Sequence, residues 1–118
     1  MATATATKKK KWTQAKFAAK LLPALKALGK GQNQVAESLR KKKIKGDPSS
    51  TEECVVAIYV ARIFKDAKNI IVTDVTIDVD LDGETFRVNT PSAVGKMIAN
   101  FDEEKYSFLL ADGYRSDL

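Results

Sequence analysis

The strongest constraint on the fold is a run of strict alternation closed by a two-residue turn. Val75, Ile77, Val79 and Leu81 alternate with Thr76, Asp78 and Asp80, and Asp82-Gly83 follows at once. Period-two alternation puts one set of side chains on each face of a strand. Asp-Gly suits a type I′ turn, which needs positive φ at both central residues. Closing the chain on that turn pairs Leu81 with Glu84, Asp80 with Thr85, Val79 with Phe86, Asp78 with Arg87 and Ile77 with Val88. The register is tested by its own product. It collects Ile77, Val79, Phe86 and Val88 on one face and sets Asp78 opposite Arg87 on the other, whereas a slip of one residue would scramble both faces. Ile70-Ile71-Val72 either forms a third short strand or leads into the first.

Helical spacing dominates elsewhere. Ala18, Leu21, Leu22, Leu25 and Leu28 form a stripe after Thr13, a candidate N-cap, so a first helix is predicted from Thr13 to about Leu28. Pro23 cannot donate to the carbonyl of Ala19, so a kink or break is expected there, and Gly29 and Gly31 end the segment. A second helix is predicted from Asn33, as N-cap, through Val35, Ala36 and Leu39 into Arg40-Lys41-Lys42-Lys43-Ile44-Lys45. Gly46-Asp47-Pro48-Ser49 reads as a turn. Ser50 with Glu53 reads as a capping box opening a third, central helix whose run Cys54–Ala61 is apolar nearly all round. After the hairpin, Thr90-Pro91 starts a helix with the stripe Val94, Met97, Ile98 and Phe101; Asp102-Glu103-Glu104 caps a last turn carrying Tyr106, Leu109 and Leu110. The expected class is α+β: three N-terminal helices, a hairpin with or without a third strand, then one or two C-terminal helices. The hairpin should lie on the helices by one side only. A basic low-complexity tail spans 1–11, a single domain 12–111 and a frayed end 112–118.

The 118 residues carry 20 Lys or Arg, 15 Asp or Glu and no His. The charge is unevenly placed: residues 1–46 hold 13 bases against the single acid Glu37, and residues 47–118 hold 7 bases against 14 acids. A front half so rich in cations suits a polyanion partner; it equally suits solubility and self-complementarity between the halves. Absence of His removes the commonest general base and zinc ligand, and the lone Cys54 excludes paired-thiol chemistry and internal disulfides. No apolar run approaches a bilayer span, the stretch Leu21–Leu25 contains Pro23 and is too short for a secretory core, and position 2 is Ala rather than the Gly of a myristoylation signal. A cytoplasmic location without membrane attachment is expected.

The candidate binding residues are Lys8, Lys9, Lys10 and Lys11 with Trp12, and Arg40, Lys41, Lys42, Lys43 and Lys45. Clustered cations release counterions from phosphates, and an indole can stack on a base or sugar. Trp12 is also placed to be the first core residue of the first helix, and the second cluster is also what a solvated helix end would show. The order helix–helix–helix–hairpin resembles a winged helix-turn-helix. Its third helix, however, offers Glu52, Glu53 and Val56 rather than a polar reading surface, and its wing tip Asp82-Gly83-Glu84 is acidic. Asp78-Val79-Asp80-Leu81-Asp82-Gly83 opens like a calcium loop, yet its twelfth position is Asn89 rather than a bidentate Glu. Cys54, with no His anywhere, reads as a buried structural thiol, and no nucleophile motif or phosphate loop occurs.

Gly46–Val60, with Cys54, Ala57 and Tyr59, and then Thr90-Pro91, Phe101-Asp102 and Tyr106 in the same order, resemble stretches of small bacterial or phage-type single-domain proteins that have no known activity. The resemblance implies one domain over about residues 20–110 and no chemistry. The expectation is therefore a non-enzymatic protein without cofactor or metal. It would bind DNA or RNA without sequence reading through its tail and second helix. The alternative is a protein-interaction module, an accessory or inhibitor subunit, whose acidic hairpin and C-terminal half meet a partner or the basic half of a second copy.

Overall fold

The computed structural model describes residues 12–48, 50–103 and 105–110. The tail 1–11, with Lys8–Lys11, and the C-terminal stretch 112–118 lie outside the described residues.

The hairpin forms in the register that alternation dictates. Strands β2 (Thr76–Leu81) and β3 (Glu84–Asn89) pair antiparallel, with Leu81 opposite Glu84, Val79 opposite Phe86 and Ile77 opposite Val88. Asp82 and Gly83 have φ of 53° and 78°, the left-handed pair that a type I′ turn needs. Ile70–Val72 forms a third strand, β1, antiparallel to β2, so the sheet order is β1-β2-β3. Ile77, Val79, Leu81, Phe86 and Val88 are buried on the inner face. On the outer face Asp78 accepts from Arg87 Nε at 2.6 Å and from a terminal guanidinium nitrogen at 2.9 Å. Asp80 accepts from the Thr85 hydroxyl and from Asn69. The carboxylates of the calcium-loop-like segment are thus spread along a strand rather than curled around a point.

Four α-helices accompany the sheet among the described residues. Helix α1 (Gln14–Lys26) is capped by Thr13, whose hydroxyl accepts from the Lys16 amide at 3.1 Å. It buries Phe17, Leu21 and Leu25, a cleaner four-residue spacing than the predicted stripe, whose Ala18 and Leu22 end up half-buried. Pro23 does not break it: the missing amide falls in the last turn, where few later bonds depend on it. Helix α2 (Gln32–Lys41) buries Val35, Ala36 and Leu39 as predicted, but its N-cap is Gly31, not Asn33. Gln34, three residues past that cap, accepts from the amide of Lys30, the residue before the cap, at 2.8 Å and so ties the incoming chain to the first turn. Asn33 instead accepts from the Tyr106 hydroxyl at 2.8 Å.

Helix α3 (Val55–Ile63) starts later than the Ser50–Glu53 pattern predicts. The Ser50 hydroxyl does accept from the Glu53 amide, at 3.0 Å, but the bond closes a separate turn. Asp47 N–H to the Glu53 carbonyl, 2.9 Å, then folds the chain back before Cys54 caps the helix. Helix α4 (Ser92–Asp102) buries Val94, Met97, Ile98 and Phe101, and starts one residue after the predicted first position. Thr90 does not cap it; its hydroxyl donates to the Thr73 carbonyl at 2.9 Å and ties the helix entry to the β1–β2 loop. A 3-10 turn (Ser107–Leu109) follows, with Leu109 fully buried.

One apolar cluster joins all these elements. Phe17 is its aromatic centre, 5.3 Å from the Phe64 ring and 5.6 Å from the Phe86 ring, so α1 is packed on the end of α3 and on β3 together. The sheet thus rests on helices by its inner face alone, as an α+β layout requires. No helix among the described residues is long and apolar enough to cross a membrane.

Candidate nucleic-acid interface

The basic end of α2 is held in a defined shape by its own backbone. The Lys43 amide donates to the Arg40 carbonyl at 2.9 Å and the Ile44 amide to the Leu39 carbonyl at 3.1 Å. These are the two bonds of a Schellman ending, and Leu39 and Ile44, its apolar pair, are both buried. The left-handed position of that motif, usually glycine, is occupied by Lys43 with φ of 60°. Arg40, Lys41, Lys42, Lys43 and Lys45 are therefore presented on a closed turn, all five exposed, while Ile44 between them is pinned to the core.

Each cation has its own setting. Arg40 forms a two-pronged ion pair with Glu37 one turn back. The hydrogen bond from Arg40 holds the Glu37 carboxyl below its ordinary range, and the same bond raises the guanidinium. Lys42 lays its ammonium 5.7 Å from the centre of the Tyr59 ring, and its carbonyl accepts from Arg62 at 2.9 Å, which links the turn to α3. Burial pushes the Tyr59 phenol up, so it remains protonated beside that lysine.

Trp12 is not part of this turn. It is half-buried at the start of α1, edge-on to Phe64 at 5.2 Å, with the Lys20 ammonium 5.5 Å from its ring centre. The indole packs on the core rim, the other role its sequence position allowed. Cys54 is 2% exposed, and burial raises its thiol above the ordinary range.

Sequence reasoning missed Phe108. The Gly46 amide donates to the Leu109 carbonyl at 2.8 Å, and Gly46 and Leu110 form an isolated parallel bridge. This strap lays the 3-10 turn alongside the basic segment. Arg40, Lys43, Ile44, Lys45 and Phe108 then line one open groove of about 410 Å³. Leu109 points into the core, and Phe108 is left 44% exposed, its ring 6.0 Å from that of Tyr106 in an edge-to-face contact. No local signal marks Phe108, because its position depends on a bridge to a residue far back in the chain.

Compared with known proteins, the chain matches no family model, no curated protein and no solved structure.

Proposed function

We propose that the protein binds nucleic acid without reading its sequence, using the basic end of α2 together with the lysine-rich tail. The observation that supports this best is the fixed Schellman turn presenting Arg40, Lys41, Lys42, Lys43 and Lys45 to solvent. Phosphate contacts need clustered cations, and a turn closed by two backbone bonds fixes the backbone positions from which these side chains extend. Sequence reading would need side chains aimed at base edges along a groove-filling element. The longest element at this face ends in the basic turn itself and offers mostly ammonium groups, which act as point charges.

The test is a salt titration. With about 4–6 phosphate contacts, log K for duplex DNA should fall against log salt with a slope of about −4 to −5. Replacing Lys41, Lys43 and Lys45 together with Ala should weaken binding to every sequence alike and flatten that slope by about 2 to 3. No binding to duplex or single strand at low salt would remove the reading, and loss confined to one sequence would contradict its non-specific character.

A further inference from the structure

We propose that the groove between the α2 turn and the 3-10 turn takes an unpaired nucleobase on Phe108, so that the protein prefers single-stranded to duplex nucleic acid. The inference rests on the nucleic-acid reading above and adds which form is bound and by which residue. Three features carry it. First, Phe108 is one of three large apolar side chains that stand exposed among the described residues, and the one that lines a groove with Arg40, Lys43 and Lys45. Second, the ring is held in place from behind. Tyr106 meets it edge-on, the Tyr106 hydroxyl donates to Asn33 on α2, and Leu109 anchors the turn in the core. An aromatic fixed by such contacts loses little freedom when a second ring lies on it. Third, the cations around it match the chemistry of the strand that would carry that ring: a flat apolar base flanked by phosphates.

Duplex DNA cannot use this groove fully. Its bases are already stacked, and its backbone would meet the cations while leaving Phe108 uncovered. A single strand satisfies both halves of the site. Stacking is tolerant of base identity, which fits a site without directed hydrogen-bond readers.

The experiment uses the full chain and three fluorescent probes of equal length: a single-stranded oligothymidylate, its duplex with oligodeoxyadenylate, and an abasic strand with the same phosphates. Anisotropy titrations at one fixed salt concentration should rank the base-bearing strand above the abasic strand by about 5- to 150-fold, the range that one stacked base supplies. Phe108→Ala should remove most of that ratio while leaving abasic-strand affinity and its salt slope unchanged. Phe108→Trp should keep or raise it, and circular dichroism should show both variants folded. If base-bearing and abasic strands bind equally, or Phe108→Ala leaves their ratio intact, stacking at Phe108 is overturned while non-specific phosphate binding stands. If neither strand binds at low salt, the nucleic-acid reading itself fails and this inference with it.

Discussion

Lys43 shows how one side chain can serve a surface at the expense of its own backbone. A non-glycine residue in the left-handed region costs about 1 kcal/mol or more, because its Cβ crowds the neighbouring carbonyl. Helix endings of this kind favour glycine for that reason. The chain keeps lysine there, between Lys42 and Ile44, with φ of 60°. Lys43→Gly should therefore be more stable than Lys43→Ala by about 1 kcal/mol in urea unfolding without nucleic acid. Both variants lose the same charge, so they should bind oligonucleotides alike. Equal stability of the two would mean that the turn is not held in this ending.

At the scale of elements, the hairpin was the most readable part of the chain, since its pattern, turn and cross-strand charges all depend on near neighbours. Asp78 opposite Arg87 is the clearest case: pairing from the Asp-Gly turn alone predicted it, and the two side chains meet at 2.6 Å. The hydrogen bond from Arg87, and then its charge, hold the Asp78 carboxyl below its ordinary range against the opposing effect of burial. A depressed folded-state value contributes stability that is complete above the unfolded-state value, about 4, and is lost as pH falls through the folded one. Asp78→Asn should thus melt slightly below wild type at pH 7, and the gap should close as the pH falls below the ordinary carboxylate range. A gap that persists unchanged in acid would show that the pair contributes through packing rather than charge. Thr13 caps α1 where the sequence places it, but other helix starts were less readable because each was moved by a distant partner or a competing local bond. Asn33 had the right chemistry for an N-cap, but its oxygen is taken by Tyr106, 73 positions away. Ser50 and Glu53 had the right spacing for a capping box, but their bond closes a turn that lets Gly46 approach the start of α3. The basic half of the candidate site was legible as a run of charge. Its aromatic half was not, since nothing near Phe108 in sequence says that the 3-10 turn will lie beside Lys45.

In the whole molecule, Gly46 is the point where three parts of the chain meet. A Cβ there would sit 2.5 Å from the Glu53 carbonyl oxygen and 2.8 Å from the Val55 amide nitrogen, backbone atoms that cannot swing aside. On its other side Gly46 carries the strap to Leu109 and Leu110. Gly46→Ala should cost about 1–3 kcal/mol of stability by chemical denaturation, the usual range for forcing extra volume into a packed site. It should also lower the preference for base-bearing over abasic strands more than it lowers affinity for the abasic strand, because the strap positions Phe108 and not the lysines. Full retention of both properties would mean that the segment relaxes around the added methyl.

The same strap sets an order of events during synthesis. The lysine-bearing segment is synthesised well before Phe108, and the ring reaches its place only when the 3-10 segment docks on Gly46. On the reading proposed above, a nascent protein would hold polyanions by charge alone, and would begin to distinguish melted strands from paired ones only when the 3-10 segment closes on Gly46.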